Sequence, residues 1–187
     1  MVNPIPPPPV SVQQAIGFAY PRFSGPGLMF DDEFEQLRRL IPRHGTYLEF
    51  GCWTGTTVMR LMEARDDIEA TSVDIFYDWR QAVSYLVNRS HHLKHRLWWG
   101  ETRTYHAQCA HHIYDVVMVD ADHREEAAYR DLGYAFDLVK PGGIVLIHDY
   151  GSDYHRGVTN AANKYAEDNG LQVKRLVRTL AQVGVSL

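Results

Sequence analysis

Five apolar runs of strand length punctuate this chain, and each carries a polar group at or just beyond its end. They are "TYLEF" (46–50), "IEATSVDIF" (68–76), "HRLWWG" (95–100), "YDVVMVD" (114–120) and "IVLIHD" (144–149). A strand apolar along its whole length must be covered on both faces. Parallel sheets meet that need with helical crossovers. Segments of helical spacing do lie between the runs: "TTVMRLMEAR" (56–65) with Val58, Leu61 and Met62 inward, "DWRQAVSYLVNR" (78–89), a short helix or loop through "TYHAQ" (104–108), and "REEAAYRDLGYAFDLV" (124–139). The last turns Ala128, Leu132, Ala135, Phe136 and Val139 inward and is stopped by "PGG".

The ends of the chain complete the pattern. "FDDEFEQLRRLI" (30–41) places Phe30, Phe34, Leu37 and Ile41 on one helical face, with Asp31 and Asp32 at the favourable N-terminal end. "VTNAANKYAEDNG" (158–170) is a helix with a glycine C-cap. "LQVKRLVRTL" and "AQVGVSL" can pair as closing strands. The expected fold is α/β: a Rossmann-like, doubly wound sheet, mostly parallel with an antiparallel C-terminal strand, helices on both faces. One domain is expected over 28–187. Residues 1–27 form a proline-rich extension, either a polyproline II ligand segment for a partner or a plain leader.

Composition narrows the class. A net charge of −4 advertises no surface for nucleic acid or anionic membrane. Two cysteines, Cys52 and Cys109, suit a reducing cytoplasm better than a disulfide scaffold. No run approaches the roughly 20 apolar residues of a membrane span, and no signal peptide is evident.

In open parallel sheets ligands bind beyond the carboxyl ends of the strands. Glu49, Asp74, Gly100 with Glu101, Asp120 with Asp122, and His148 with Asp149 fall at five successive strand ends. The turn "EFGCWTG" decides between cofactors. A dinucleotide pyrophosphate wants bare glycine backbone, whereas Glu49 would repel it and Trp53 crowds the turn. S-adenosylmethionine, with an ammonium and a sulfonium, suits Glu49. Gly51 and Gly55 allow close backbone approach, Asp74 is placed to hold ribose hydroxyls, and Gly100, Glu101 and Thr102 could meet the adenine edge. Trp53 either packs at the turn or walls the pocket.

"YLEFGCWTGTT", the acid of "SVD", "VMVDADH", "DL" and "LVKPGGIVLIHDY" together resemble a class I S-adenosylmethionine-dependent methyltransferase over roughly residues 30–150. The branch resembled is that of catechol and caffeoyl-CoA O-methyltransferases and of the cephalosporin and macrolide-sugar O-methyltransferases. The resemblance implies methyl transfer to a hydroxyl of a small molecule, with Asp120 also near the cofactor. It implies a divalent metal, Mg2+ or Mn2+, on Asp120, His148 and Asp149. Imidazole departs from the all-oxygen set, so the site holds Mn2+, Fe2+ or Zn2+, holds Mg2+ weakly, or is empty. Asp122, His123 and His148 are the candidate bases; His123 could instead cap the helix after it, and Asp122 could be a turn acid. "HHLKH" (91–95) and "HH" (111–112) read as surface histidines, Cys52 as small filler, and Tyr150, Tyr154 and His155 as an acceptor wall or a surface loop. A homodimer is left open. The competing readings are a nitrogen or macromolecular acceptor, a binding protein without catalysis, and a nicotinamide dehydrogenase.

Overall fold

The computed structural model describes residues 29–53, 55–75 and 94–185. The proline-rich extension, the expected helix over 78–89 and His91 and His92 lie outside the described residues. Twelve elements follow in order: α1 (Asp31–Leu40), β1 (Thr46–Phe50), α2 (Thr56–Ala64), β2 (Glu69–Asp74), β3 (Lys94–Trp99), α3 (Thr102–Gln108), β4 (Tyr114–Val119), α4 (Glu125–Leu138), β5 (Val139–Ile147), α5 (Arg156–Asp168), β6 (Gln172–Val177) and β7 (Leu180–Val185).

The strands form one sheet in the order β3-β2-β1-β4-β5-β7-β6. The pairs from β3 through β5 are all parallel. β7 runs antiparallel to both β5 and β6. The sequence order reverses between β1 and β4, so the crevice of a doubly wound sheet must open there.

The strands alternate between two cores. Tyr47, Ala70, Val116, Met118 and Leu146 face α1 and α2, burying Phe34, Leu37, Val58, Leu61 and Met62. Leu48, Phe50, Val117, Val119, Val145 and Ile147 face the other way onto Tyr105 of α3, Leu132, Ala135 and Leu138 of α4, and Val158 and Ala162 of α5. Each fully buried aliphatic side chain contributes about 1.5–3 kcal/mol. No helix among the described residues is long and apolar enough to cross a membrane.

Four local expectations change. Phe30 is exposed at the N-cap of α1 instead of lying on its buried face. "PGG" does not stop α4, which ends at Leu138; β5 begins at the next residue and runs through Pro141–Gly143, with a register shift against β4. Gly142, at φ +80°, takes up that irregularity. The C-cap of α5 is Asn169, and Gly170 follows it in the left-handed region. His95 is not a surface histidine: it is buried in β3 beside the Ser72 hydroxyl, 3.2 Å from its Nε2, and burial lowers its pKa to about 4.

Candidate active site

A cavity of about 760 Å3 opens over the C-terminal ends of the parallel strands. Its floor comes from β1 and the turn after it. Gly51 sits at φ +85°, Trp53 at +41° and Gly55 at +73°. Left-handed backbone at a tryptophan is uncommon and strained, and such residues cluster at functional sites. The Trp53 N–H donates to Asp74 Oδ2 at 2.6 Å, so the acid ending β2 holds the turn in place. The Trp53 side chain is half exposed and lines the cavity.

Glu49 lies beneath, almost fully buried. The Tyr47 hydroxyl reaches its Oε1 at 3.5 Å, while Oε2 has no partner. Burial pushes the Glu49 carboxyl well above the usual range, and the nearby Asp120 and Asp74 add to the shift. An orphaned buried carboxylate oxygen beside a cavity is a seat for a cation. Cys52, buried on the same turn, has its thiol pushed up by burial; it is inert filler.

The opposite wall comes from β3, β4 and α4. Glu101 and Thr102 follow Gly100 onto α3; the Thr102 hydroxyl donates to Asp131 Oδ1 at 2.7 Å. Asp131 is buried in α4, lines the cavity, and burial raises its pKa. Asp122 also lines the cavity, but both its oxygens accept from Arg124, which holds its carboxyl below the usual range. The N-cap of α4 is Arg124, so His123 is free of the capping role.

Two histidines and two acids meet at the strand ends of β4 and β5. His123 Nε2 lies 2.9 Å from Asp149 Oδ2 and 3.8 Å from Asp120 Oδ1. Its ring stacks on His155 at 4.0 Å. The Asp149 hydrogen bond raises the His123 pKa against the opposing effect of burial, with Asp120 adding to the rise. Asp149 holds a left-handed backbone, φ +61°, which aspartate tolerates.

His148 is placed differently. Its side chain is only 4% exposed and lies beneath Asp120 and Asp149 instead of on the cavity wall. Its Nε2 lies 3.2 Å from Glu33 Oε2, which as a carboxylate can only accept, so Nε2 carries a hydrogen. Nδ1 has no hydrogen-bond partner and faces Asp120 at 3.5 Å and Asp149 at 3.7 Å. Against burial, those acids and Glu33 raise the His148 pKa to about 11. A lone pair facing two carboxylates would be repelled; the spot wants a proton or a metal ion.

Residues 48–150 match the family model described as "Methyltransferase domain". The chain belongs to that family. No curated protein matches the sequence. Among solved structures, a protein of Corynebacterium glutamicum superposes with a TM-score of 0.70 at 16% identity, over 94% of this chain and 89% of its own. A Staphylococcus aureus protein assigned as a caffeoyl-CoA O-methyltransferase gives 0.68 at 15%, over 93% and 91%. The O-methyltransferase TomG of tomaymycin synthesis from Streptomyces achromogenes, solved with S-adenosylmethionine, gives 0.65 at 16%, over 94% and 89%. The fold is that of a class I S-adenosylmethionine-dependent methyltransferase.

The cofactor fits the methyltransferase cavity on its own chemistry. Glu49 Oε2 is an unpaired buried carboxyl oxygen beside the cavity, where a cationic methionine end would favour the ionised form against burial. A side chain at Gly51 would collide with the backbone of Asp120 and Ala121. The sequence-derived residues Glu49, Gly51, Asp74, Gly100, Glu101, Thr102, Asp120, Asp122, His123 and Asp149 all line this one cavity. Gly55 begins α2 just behind it, and His148 lies below it. Sequence reasoning gave no role to Glu33 and Asp131. Each occupies an apolar-face position of its helix, Glu33 one turn before Leu37 and Asp131 one turn before Ala135.

Proposed function

We propose that this methyltransferase transfers the methyl group of S-adenosylmethionine to a hydroxyl of a small molecule, with His123 as general base. The observation that carries the reading is the His123–Asp149 pair standing in the same cavity as the Glu49 cation seat. The cavity volume, about 760 Å3, falls within the roughly 300–1,000 Å3 of small-molecule sites. Two solved relatives that share the fold are O-methyltransferases by description.

Methyl transfer proceeds by in-line attack of the acceptor oxygen on the methyl carbon bound to sulfur. The acceptor must lose its proton. Asp149 takes the Nε2 hydrogen bond of His123 and leaves Nδ1 as the basic nitrogen. Closing the two reactants into one cavity supplies the rest of the acceleration through proximity. A divalent ion would be held by Asp120, Asp149 and His148, whose imidazole Glu33 orients in the manner of a carboxylate behind a metal-bound histidine. Such an ion would supply Lewis-acid stabilisation of the acceptor oxyanion. The imidazole favours Mn2+, Fe2+ or Zn2+ over Mg2+ there.

A screen for S-adenosylhomocysteine release with phenols, sugars, nucleosides and amines tests the reading, run with chelator and with each metal restored. Turnover of a hydroxylated acceptor is expected, rising with pH as His123 loses its proton above the ordinary imidazole range. His123→Gln should lower kcat by about a hundredfold or more and remove that rise, with KM for the cofactor little changed. Turnover of amines alone would move the acceptor to nitrogen. Cofactor binding without turnover of any class would leave a binding protein.

Asp74 is proposed to do two things, accepting from ribose hydroxyls and from the Trp53 N–H. Asp74→Ala should weaken cofactor binding by about 1–3 kcal/mol, a loss of about five- to 150-fold. Unchanged affinity by calorimetry would remove Asp74 from the cofactor site.

A further inference from the structure

A second cluster of metal-ligating side chains stands apart from the crevice. His106 near the end of α3, His111 in the loop before β4 and Asp137 in the last turn of α4 offer ligand atoms that all lie within 4.8 Å of one another. The loop is fixed at this spot: the His112 N–H donates to the Asp137 carbonyl at 3.0 Å and the Ile113 N–H to the Leu138 carbonyl at 2.9 Å. His111 lies just before β4 and Asp137 at the end of α4 just before β5, so the cluster sits at the N-terminal edge of the parallel strands, the end opposite the cofactor cavity.

We propose that His106, His111 and Asp137 form a zinc site. His106 Nε2 already lies 2.9 Å from Asp137 Oδ2. In a tetrahedral site with ligands about 2.0–2.2 Å from the ion, neighbouring donors stand roughly 3.3 Å apart. The pair therefore needs only a slight opening to admit Zn2+. The His106 ring is held by stacking on Tyr134 at 4.4 Å, which fixes the direction of its donor. The His111 ring lies edge-on at 5.5 Å from it and is exposed, so rotation about its own side-chain bonds can bring its nitrogen in.

The electrostatics of α4 point the same way. The carboxylate of Asp137 stands at the negative end of the helix dipole, where an anion is unfavourable, and no basic residue occupies that last turn. A bound cation removes the conflict. Two imidazoles and one carboxylate select a borderline ion over Mg2+ or Ca2+. Three protein ligands leave a fourth position for water. Bound there, zinc ties the end of α3 to the end of α4 and the loop before β4.

The test uses untagged protein, since a histidine tag would bind zinc itself. Zinc is added to stripped protein, and bound metal is counted by equilibrium dialysis with elemental analysis. Wild-type protein and Asp149→Ala, which disables the crevice cluster, should both hold the zinc equivalent of this site. His111→Ala and His106→Ala should each lose one equivalent. Zinc should raise the Tm of wild type and of Asp149→Ala by about 3 °C or more, and that of His111→Ala by less. His111 is exposed, so its replacement leaves the fold intact. The inference is overturned if wild type binds no zinc, or if His111→Ala and His106→Ala bind as much as wild type. Both results are independent of methyl transfer, so they stand or fall separately from the proposed activity.

Discussion

Gly51→Ala is expected to lose measurable cofactor binding and to destabilise the protein by about 2–4 kcal/mol. A Cβ built there would lie 2.1 Å from the Asp120 carbonyl oxygen and 2.5 Å from the Ala121 Cα. Both are backbone atoms of the adjacent strand end, so neither can swing aside as a flexible side chain would. The residue also holds φ +85°, which a side chain disfavours. Relief requires the ends of β1 and β4 to part beside the cavity proposed to hold the cofactor. Gly142→Ala is the control. It shares the sign of φ at +80°, yet a Cβ there meets nothing within 4 Å. That variant should bear only the conformational cost, about 1–2 kcal/mol, and bind cofactor normally. Thermal unfolding and calorimetry on both proteins decide the matter. Near-native affinity in Gly51→Ala would show that the close approach is not needed.

Glu33→Ala should be the most damaging change outside the cavity, costing about 3–5 kcal/mol and lowering Tm on the order of 10 °C. Glu33 is fully buried. Its Oε1 accepts from the Thr179 N–H at 2.9 Å and the Thr179 hydroxyl at 2.8 Å. Its Oε2 accepts from the Phe30 N–H at 3.0 Å and faces His148 Nε2 at 3.2 Å. Removal leaves all four donors without an acceptor. Despite burial, the His148 and Phe30 hydrogen bonds lower the Glu33 pKa from 4.5 to about 2. A carboxyl depressed on folding contributes stability that is full above its unfolded value and is lost as pH falls through the folded one. In chelator, wild type should therefore lose stability between about pH 4.5 and pH 2 more steeply than Glu33→Ala does. Parallel acid limbs in the two proteins would contradict the assigned role.

The sheet was legible because its strands are apolar on both sides, a pattern few other folds require. Helix and strand boundaries drifted where one backbone feature replaced another. "PGG" has the composition of a stop, yet β4 pairs with Val139 before it and Ile144 after it, so the glycines became an irregular stretch of β5. Glu49 could be found because it interrupts a strand run. Glu33 and Asp131 carried the same signal on helices, an acid in the apolar register, but plausible surface roles hid it: Glu33 among the first-turn acids of α1, Asp131 beside Arg130. The partnership of His123 with Asp149 spans 26 residues and depends on a left-handed turn at Asp149. No local spacing encodes that distance. The convergence of His111 on Asp137 was equally invisible, because "HH" says nothing about which helix end will face it.

The link from Glu33 to Thr179 also bears on how the chain matures as it is made. The contact spans 146 residues, and β7 enters the sheet between β5 and β6. Until residues 180–185 have emerged from the ribosome, β5 presents an open edge and β6 has no neighbour to pair with. The buried acid of α1 likewise waits, without its threonine, until 146 further residues have been made. An unpaired apolar edge is prone to join other chains. Closure of the sheet therefore follows its parallel half, and the nascent protein is most exposed to aggregation just before the hairpin of β6 and β7 locks onto α1.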